Sequence, residues 1–464
     1  MAEPLWTSAE IADAVAGRQN GSNFAAFGVA IDSREVNAGD LFIALSGERD
    51  GHNYIPAALQ AGASGSLASK PAPGATIIVA DTLVALADLG AAARERAPRA
   101  RRGAITGSVG KTSVTQAVLG GLRLAGDGHG SVKSFNNHIG VPLTLARMPR
   151  STRRAVFEMG MNHPGEIAPL SRLVRPHAVA VTNVEAVHVE NFADGEAGVA
   201  KAKAEIFSGL ETGGAAILNA DNRWTAELGS AAQAAGGRVR TFGVSDGADA
   251  RLVRFSATPE GAQVESRIDG APLAFTLRQS APHWGPMSLC AVLMLQALGL
   301  DLALSARALS EFEPLAGRGV VHRIEGPAGA FTLVDESYNA SPVSVAAALA
   351  ALGARPTQGR RIAALTDMLE LGPEAAARHA ELAEVIEASG VDIAFCAGPL
   401  MRSLWEALPS ARRGGWMPSA AELAPCLTGA VGLGDVVMVK GSKASKASLL
   451  VAALLAEHQG EGGR

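Results

Sequence analysis

The sequence predicts an α/β protein of three domains: a small N-terminal α/β module, a central domain built on a parallel sheet, and a C-terminal Rossmann-like domain. Three observations lead there. A chain of 464 residues carries a prior of about three domains. Hydrophobic residues reach 48% and aromatics only 4%, with 53 glycines, which suits Ala/Gly/Val-rich layers better than an aromatic-rich sandwich. Short apolar strand candidates also alternate with helical stretches along most of the chain, the pattern of a parallel sheet covered on both faces.

The first domain covers residues 1–83. It offers strand candidates at Phe24–Ile31 and Asp40–Leu45 and a helix candidate at Tyr54–Ala61. The second covers 84–318. Ala85–Ala97 reads as a helix, Gly103–Thr106 as a strand, Gly107–Thr112 as a loop and Ser113–Leu124 as a helix. Strand candidates follow at Ala155–Met159, Ala178–Asn183 and Ala215–Asn219. From Thr241 to Leu277 the period changes to two, with Leu273, Phe275 and Leu277 on one face, so this segment reads as a β-rich excursion. The third domain covers 319–464. Its strand candidates are Phe331–Val334, Ile362–Leu365, Ile393–Cys396 and Val436–Val439, with helices expected at Val343–Leu352, Ala375–Ala388 and Ala447–Glu457. The layout is of nucleotide-binding type but lacks a GxGxxG fingerprint.

Composition excludes several classes. The net charge is -4, and the one basic cluster, Arg94, Arg96, Arg99, Arg101 and Arg102, is short, so no nucleic acid is expected as a partner. Cys290, Cys396 and Cys426 are too scattered for a disulfide framework or a CxxC metal site. No apolar run is long enough to span a membrane, and the first residues lack the core of a signal peptide. A cytoplasmic monomer is expected.

The strongest motif is Gly107-Ser108-Val109-Gly110-Lys111-Thr112-Ser113. Glycines let the backbone turn tightly and aim N–H groups at phosphate oxygens, and the helix that follows adds its positive end. Lys111 can reach the β- and γ-phosphates of ATP, and Thr112 can ligate Mg²⁺. The alternative is a glycine-rich turn that binds nothing. Ile105 stands where the commonest form of this motif has its first glycine. That shortening argues against a GTPase or a motor.

Three downstream residues fit one metal site. Glu158 ends a strand candidate, where a carboxylate faces the crevice of a parallel sheet and offers a hard oxygen; otherwise it is a surface glutamate. His188 follows the strand candidate Ala178–Asn183 and is either a ligand or an ordinary solvated histidine. On a helix, Val199, Lys203, Ile206 and Leu210 share a face, while Lys201 points elsewhere. A free ammonium on that stripe is costly. Carbamylation of Lys203 reverses its charge and makes it an oxygen ligand; snorkelling to solvent is the other resolution.

Together these segments resemble the Mur ligase family over nearly the whole chain. Thr106–Thr112 is similar to the family's Thr-Gly-x-x-Gly-Lys-Thr signature. Asp32-Ser33-Arg34 with Gly39–Phe42 and Leu45–Gly47 resembles its N-terminal module for a UDP-linked substrate, which implies Ser33 and Arg34 as substrate-binding residues. Asn136–Pro142 resembles Asn-Asn-x-Ile-Gly-Val-Pro and implies Asn136 and Asn137 as substrate contacts. By the same resemblance His188 and Lys203 fall at the metal-binding histidine and the carbamylated lysine. Asp335–Pro342 resembles Asp-x-Ser-Tyr-Asn-Ala-x-Pro, which with Arg318 implies nucleotide contacts from Arg318, Asp335, Tyr338 and Asn339. Asp367–Gly372 and Val439–Lys443 resemble two further C-terminal segments. The chain departs from the family at Met287, near the usual adenine-contacting Asn, and at His138, where an acidic residue is more usual.

The resemblance implies a ligase using ATP and Mg²⁺, with Lys111, His188 and Lys203 as its catalytic groups and an acyl phosphate as intermediate. The Asp-Asn-Pro-Arg segment of the family's diaminopimelate-adding enzyme is missing. That favours D-alanyl-D-alanine as the incoming amine and a UDP-muramoyl-tripeptide as its acceptor. The alternatives are another Mur-type ligase, a folylpolyglutamate synthetase-like enzyme, or a non-catalytic ATP-gated binding protein. Convergence of three domains on one centre implies opening and closing around Gly317-Arg318-Gly319.

Overall fold

The computed structural model describes residues 3–47, 49–126, 128–132, 134–185, 189–258, 261–326 and 329–456. They form two compact units. The first is Met1–Asn183, Ala200–Phe242 and Cys290–Ala308; the second is Val184–Val199, Gly243–Leu289 and Leu309–Arg464.

The first unit opens with a five-stranded sheet of β1 (Arg18–Asn20), β2 (Gly28–Ala30), β3 (Asp40–Ile43), β4 (Gly65–Ala68) and β5 (Thr76–Ile78). The spatial order is β1-β5-β4-β3-β2, parallel except for β1. Alternation explains why β3 is apolar at three consecutive positions. Leu41 and Ile43 face a core shared with Ala85, Leu86 and Leu89 of α1 (Thr82–Glu95), while Phe42 faces Ile55 and Ala58 on the other side. The helix α1 begins where the Asp81 carboxylate accepts from the amides of Leu83 and Val84, at 2.7 and 3.0 Å.

A second sheet follows. Its members in this unit, six of nine strands, are β6 (Arg101–Thr106), β7 (Gly128–Gly130), β8 (Arg154–Glu158), β9 (Ala178–Val181), β10 (Ala215–Asn219) and β11 (Arg238–Gly243), with α2 (Lys111–Leu124) after β6, α3 (Gly140–Ala146) before β8 and α4 (Glu196–Ala204) after β9. All pairings are parallel, in the order β11-β10-β9-β6-β8-β7. Buried runs such as Ala104–Ile105, Val156–Phe157 and Val179–Ala180 mark strands covered on both faces. The register sets Glu158 opposite Ile105 and Val181 opposite Thr106. The carboxyl end of β6 is therefore flanked by Glu158 on one side and by Thr182 on the other.

The second unit holds the period-two segment as antiparallel β12 (Ala250–Thr258), β13 (Gly261–Ile268) and β14 (Ala271–Leu277). On β14, Phe275 and Leu277 are buried and Leu273 half-buried, while Ala274 and Thr276 are exposed, as the alternation predicts. The last sheet contains β15 (Val320–Gly326), β16 (Gly329–Glu336), β17 (Arg361–Thr366), β18 (Ile393–Ala397), β19 (Arg413–Met417) and β20 (Val436–Lys440), with α5 (Pro342–Ala354) between β16 and β17. Its order is β15-β16-β20-β17-β18-β19, antiparallel only at β15.

The expected helix Ala375–Ala388 is two helices, Ala375–Ala380 and Leu382–Ala388, meeting at Glu381. His379 gives the reason: its ring accepts from the Met368 amide at 2.9 Å and pairs with the Ala375 carbonyl at 2.6 Å, which ties the first helix to the segment after β17. The cysteines form no disulfide; Cys290 and Cys396 are buried and Cys426 is half-buried. Among the described residues no helix is long and apolar enough to cross a membrane.

Candidate active site

The loop between β6 and α2 is shaped by glycine and fastened by the neighbouring strand. Gly107 has φ +151°, and a Cβ there would lie 1.9 Å from Thr182 Oγ1. Gly110, at φ 83°, is the left-handed residue that launches α2. From the end of β9, Thr182 Oγ1 donates to the Val109 carbonyl at 2.6 Å, and the Asn183 carbonyl accepts from the Ser108 amide at 2.9 Å. Ser113 lies in the first turn of α2. The Lys111 ammonium donates to the carbonyls of Gly107 (2.6 Å) and Ser108 (3.3 Å), so it is already held at the loop's concavity. Backbone amides, a helix N-terminus and an ammonium there suit a polyphosphate.

Glu158 closes the other flank and is 1% exposed. One carboxylate oxygen accepts from Asn136 Nδ2 at 2.8 Å, and the Glu158 amide donates to Ser131 Oγ at 3.1 Å. The second oxygen, Oε2, is buried and takes no hydrogen bond from any described residue. A buried carboxylate oxygen without a donor is costly, and a hard divalent cation removes that cost. Thr112 is buried, with Oγ1 3.5 Å from Ser134 Oγ. Among the described residues no cluster of three His, Cys, Asp or Glu is present. Among the described residues the candidate oxygen donors are thus the Glu158 carboxylate and the Thr112 hydroxyl.

Lys203 is buried near the end of α4, one turn after Val199, whereas Lys201 is exposed; the helix stops at Ala204, so the expected stripe breaks there, and Ile206, though buried, lies in the 3-10 turn Glu205–Gly209 that ends before Leu210. The Lys203 ammonium makes no hydrogen bond or ion pair with any described residue. Burial, and secondarily the charge of Lys111, push its pKa well below the ordinary lysine value. His188 lies outside the described residues.

The four C-terminal nucleotide candidates form one cluster in the second unit. The Asp335 carboxylate accepts from the amides of Gly317 (2.9 Å) and Ser337 (3.1 Å) and from Ser337 Oγ (2.6 Å). The Tyr338 amide donates to the Gly317 carbonyl at 3.1 Å. The Arg318 guanidinium stacks 4.0 Å over the Tyr338 ring. Asn339 is exposed beside it. Asp335 therefore shapes this corner, while Arg318, Tyr338 and Asn339 present its surface. Met287 is buried.

In the N-terminal sheet Ser33 is half-buried, and Arg34 is exposed and grips Asp32 bidentately at 2.9 and 2.6 Å. That pair pulls the Asp32 pKa down to about 2. Asn136 orients Glu158, as above. Asn137 Oδ1 accepts from the amides of Ile139 (3.2 Å) and Gly140 (2.9 Å), which starts α3. Sequence reasoning missed Thr182, Asn183 and Ser131, which fasten the loop and the carboxylate; their position just past or beside a strand end was the available signal. It also gave Lys440 no role.

Three family models match the chain: Mur ligase family, catalytic domain (residues 27–98), Mur ligase middle domain (105–294) and Mur ligase, glutamate ligase domain (321–443). The UDP-N-acetylmuramoyl-tripeptide–D-alanyl-D-alanine ligase of Escherichia coli is 35% identical over 84% of this chain and 86% of its own. The enzyme of that name from Rickettsia prowazekii is 31% identical over 91% and 94%. The solved structure of MurF from Acinetobacter baumannii superposes with a TM-score of 0.86 at 26% identity, covering 98% of this chain and 99% of that one.

Proposed function

The chain belongs to the Mur ligase family, and from that premise we propose that it is an ATP-dependent ligase adding D-alanyl-D-alanine to UDP-N-acetylmuramoyl-tripeptide in peptidoglycan precursor synthesis. The observation that carries this reading is the pairing of a phosphate-type loop with the donor-free oxygen of Glu158 at the adjacent strand end.

The reaction has two steps. A terminal carboxylate oxygen of the tripeptide attacks the γ-phosphorus, the bond to the β-phosphate oxygen breaks, and ADP leaves. The amine of the dipeptide then attacks the acyl carbon, phosphate leaves, and the nitrogen loses a proton. Both partners of the first step are anions, so catalysis lies in positioning and charge compensation. Lys111 supplies the ammonium already held at the loop, and the N-terminus of α2 faces the phosphates. Bound Mg²⁺ adds charge compensation and a template, with Thr112 and Glu158 as the residues to hold it. Arg318, Tyr338 and Asn339 are the surface of the second unit that takes the nucleotide, and Asp335 fixes their backbone. Ser33, Arg34, Asn136 and Asn137 are retained as substrate-binding residues.

Lys203 is proposed to be carbamylated. Its neutral amine attacks CO₂, one N–C bond forms and one proton leaves, giving an anion that joins Glu158 and His188 as a ligand. Support comes from the burial that favours the neutral amine. We further propose three functional parts, 1–83, 84–318 and 319–464, in a monomer of the cytoplasm; sedimentation of the purified protein tests the monomer.

The decisive assay measures phosphate release with UDP-muramoyl-tripeptide, with and without D-alanyl-D-alanine. Dipeptide-dependent release coupled to a ligated product is expected. Ligation of diaminopimelate to UDP-muramoyl-dipeptide, with no response to D-alanyl-D-alanine, contradicts the substrate assignment. Absence of turnover with every amine contradicts the enzyme itself.

A further inference from the structure

We infer that Lys440 is a positioning residue for this reaction, fastening the Ser337–Ala340 loop at the height from which Tyr338 and Asn339 meet the nucleotide. The inference rests on the reading that this loop contacts ATP.

Lys440 ends β20, and the parallel register sets it directly beside Glu336, the last residue of β16. Its side chain is 5% exposed, and Glu336 is 17% exposed. The ammonium donates to the Asn339 carbonyl at 2.9 Å and lies 3.7 Å from Glu336 Oε2. A lysine drawn this far from water loses more hydration than one hydrogen bond and a loose ion pair return. Burial accordingly pushes its pKa down, Glu336 pushes it up, and Arg318 pushes it down again. The chain tolerates a costly ammonium at a point where it does one geometric task.

That task follows from the loop's other fastenings. At its start, Asp335 holds the Gly317 and Ser337 amides. At its end, Ser341 caps α5 through the Ser344 amide at 3.4 Å. Between these points the chain leaves the sheet, and Asn339 is exposed. Lys440 reaches up from the strand below and takes the Asn339 carbonyl, one residue past the ring that Arg318 covers at 4.0 Å and Lys443 approaches at 5.8 Å. The neighbours have their own ties, the Tyr338 amide to the Gly317 carbonyl at 3.1 Å and Ser442 Oγ to the Ala340 carbonyl at a long 3.5 Å, but among the described residues Lys440 is the donor that holds the Asn339 carbonyl.

The experiment measures KM for ATP, KM for UDP-muramoyl-tripeptide and kcat in Lys440→Met, Lys440→Arg and Tyr338→Ala. Methionine keeps most of the apolar stem and removes the donor. The expected result is a KM for ATP raised about tenfold in Lys440→Met, a KM for the UDP substrate within about twofold of the parent, and substantial recovery in Lys440→Arg. If Lys440→Met does not fold, Lys440→Gln is measured in its place. An unchanged KM for ATP in the lysine variants, with a raised one in Tyr338→Ala, overturns the inference alone. An unchanged KM for ATP in Tyr338→Ala overturns the nucleotide assignment of the loop, and the inference with it.

Discussion

The proposed function assigns the nucleotide to two loops, one in each unit, and they are built on opposite principles. The loop of Gly107–Gly110 is made by backbone: two glycines with positive φ, and carbonyls of Val109 and Asn183 engaged from and at the neighbouring strand. The Asp335–Ser341 loop is made by side chains: one carboxylate with three donors, one buried ammonium and one stacked guanidinium. Backbone construction ties the first loop to the end of β9 through the carbonyls of Val109 and Asn183. Side-chain construction makes the second loop depend on charges that can be removed one at a time.

Breaking the first loop's charge should have the largest effect. In Lys111→Ala, turnover at saturating ATP should fall about 10³-fold with the melting temperature unchanged. Near-parental turnover rules out this loop as the phosphate site.

Next comes Lys203→Ala, with an expected loss of about 10²-fold, partly restored by acetate, while Lys201→Ala stays near parental. The same lysine makes a pH prediction. Its folded pKa lies below the unfolded value of about 10.4. The unfolded chain therefore binds more protons between the two, and stability rises with pH across that interval. In CO₂-free buffer Lys203→Met should melt higher than the parent at pH 7, with the difference shrinking toward pH 10. Equal melting of the two proteins at both pH values contradicts a lowered folded pKa for Lys203.

Gly107→Ala sharpens the contrast, because the added Cβ meets Thr182 Oγ1 at 1.9 Å. Displacing that contact should weaken ATP binding about tenfold and cost about 1–3 kcal/mol of stability. The smallest effect is expected from Asp335→Asn. An amide cannot accept from all three donors, so denaturant unfolding should come earlier by about 1–2 kcal/mol, with kcat little changed. If Asp335→Asn instead abolishes turnover at full stability, Asp335 acts on the nucleotide directly.

The same contrast explains what the sequence disclosed. Gly107, Gly110 and Lys111 stand within five residues, and a backbone cradle must be contiguous, so it was legible. The strands were legible where burial on both faces makes an apolar run, as at Ala178–Val181, or where one face is wet, as on β14. The strand Gly128–Gly130 and the helix Gly140–Ala146 escaped notice, since neither is long enough to show a period. The strand-end location of Glu158 was expected, but its link to Asn136 spans 22 residues of sequence. Lys440 was illegible for the same reason: its partner carbonyl lies 101 residues away, and only the register of β16 and β20 unites them. The break at Glu381 depends on His379 reaching across to Met368, which no local propensity encodes.

Cys290 and Cys396 lie in different units, both fully buried. Burial alone raises the first thiol, and burial together with the nearby charge of Asp367 raises the second to about 12. Neither is reactive while its surroundings stay closed, because the thiolate is the attacking species. Alkylation of each by a small maleimide must then wait for an opening event, and its rate reports the free energy of that event. The chain thus carries a native stopwatch in each half. Mass spectrometry of the two peptides, with and without ATP, would time how nucleotide changes the breathing of each unit separately, with no label introduced.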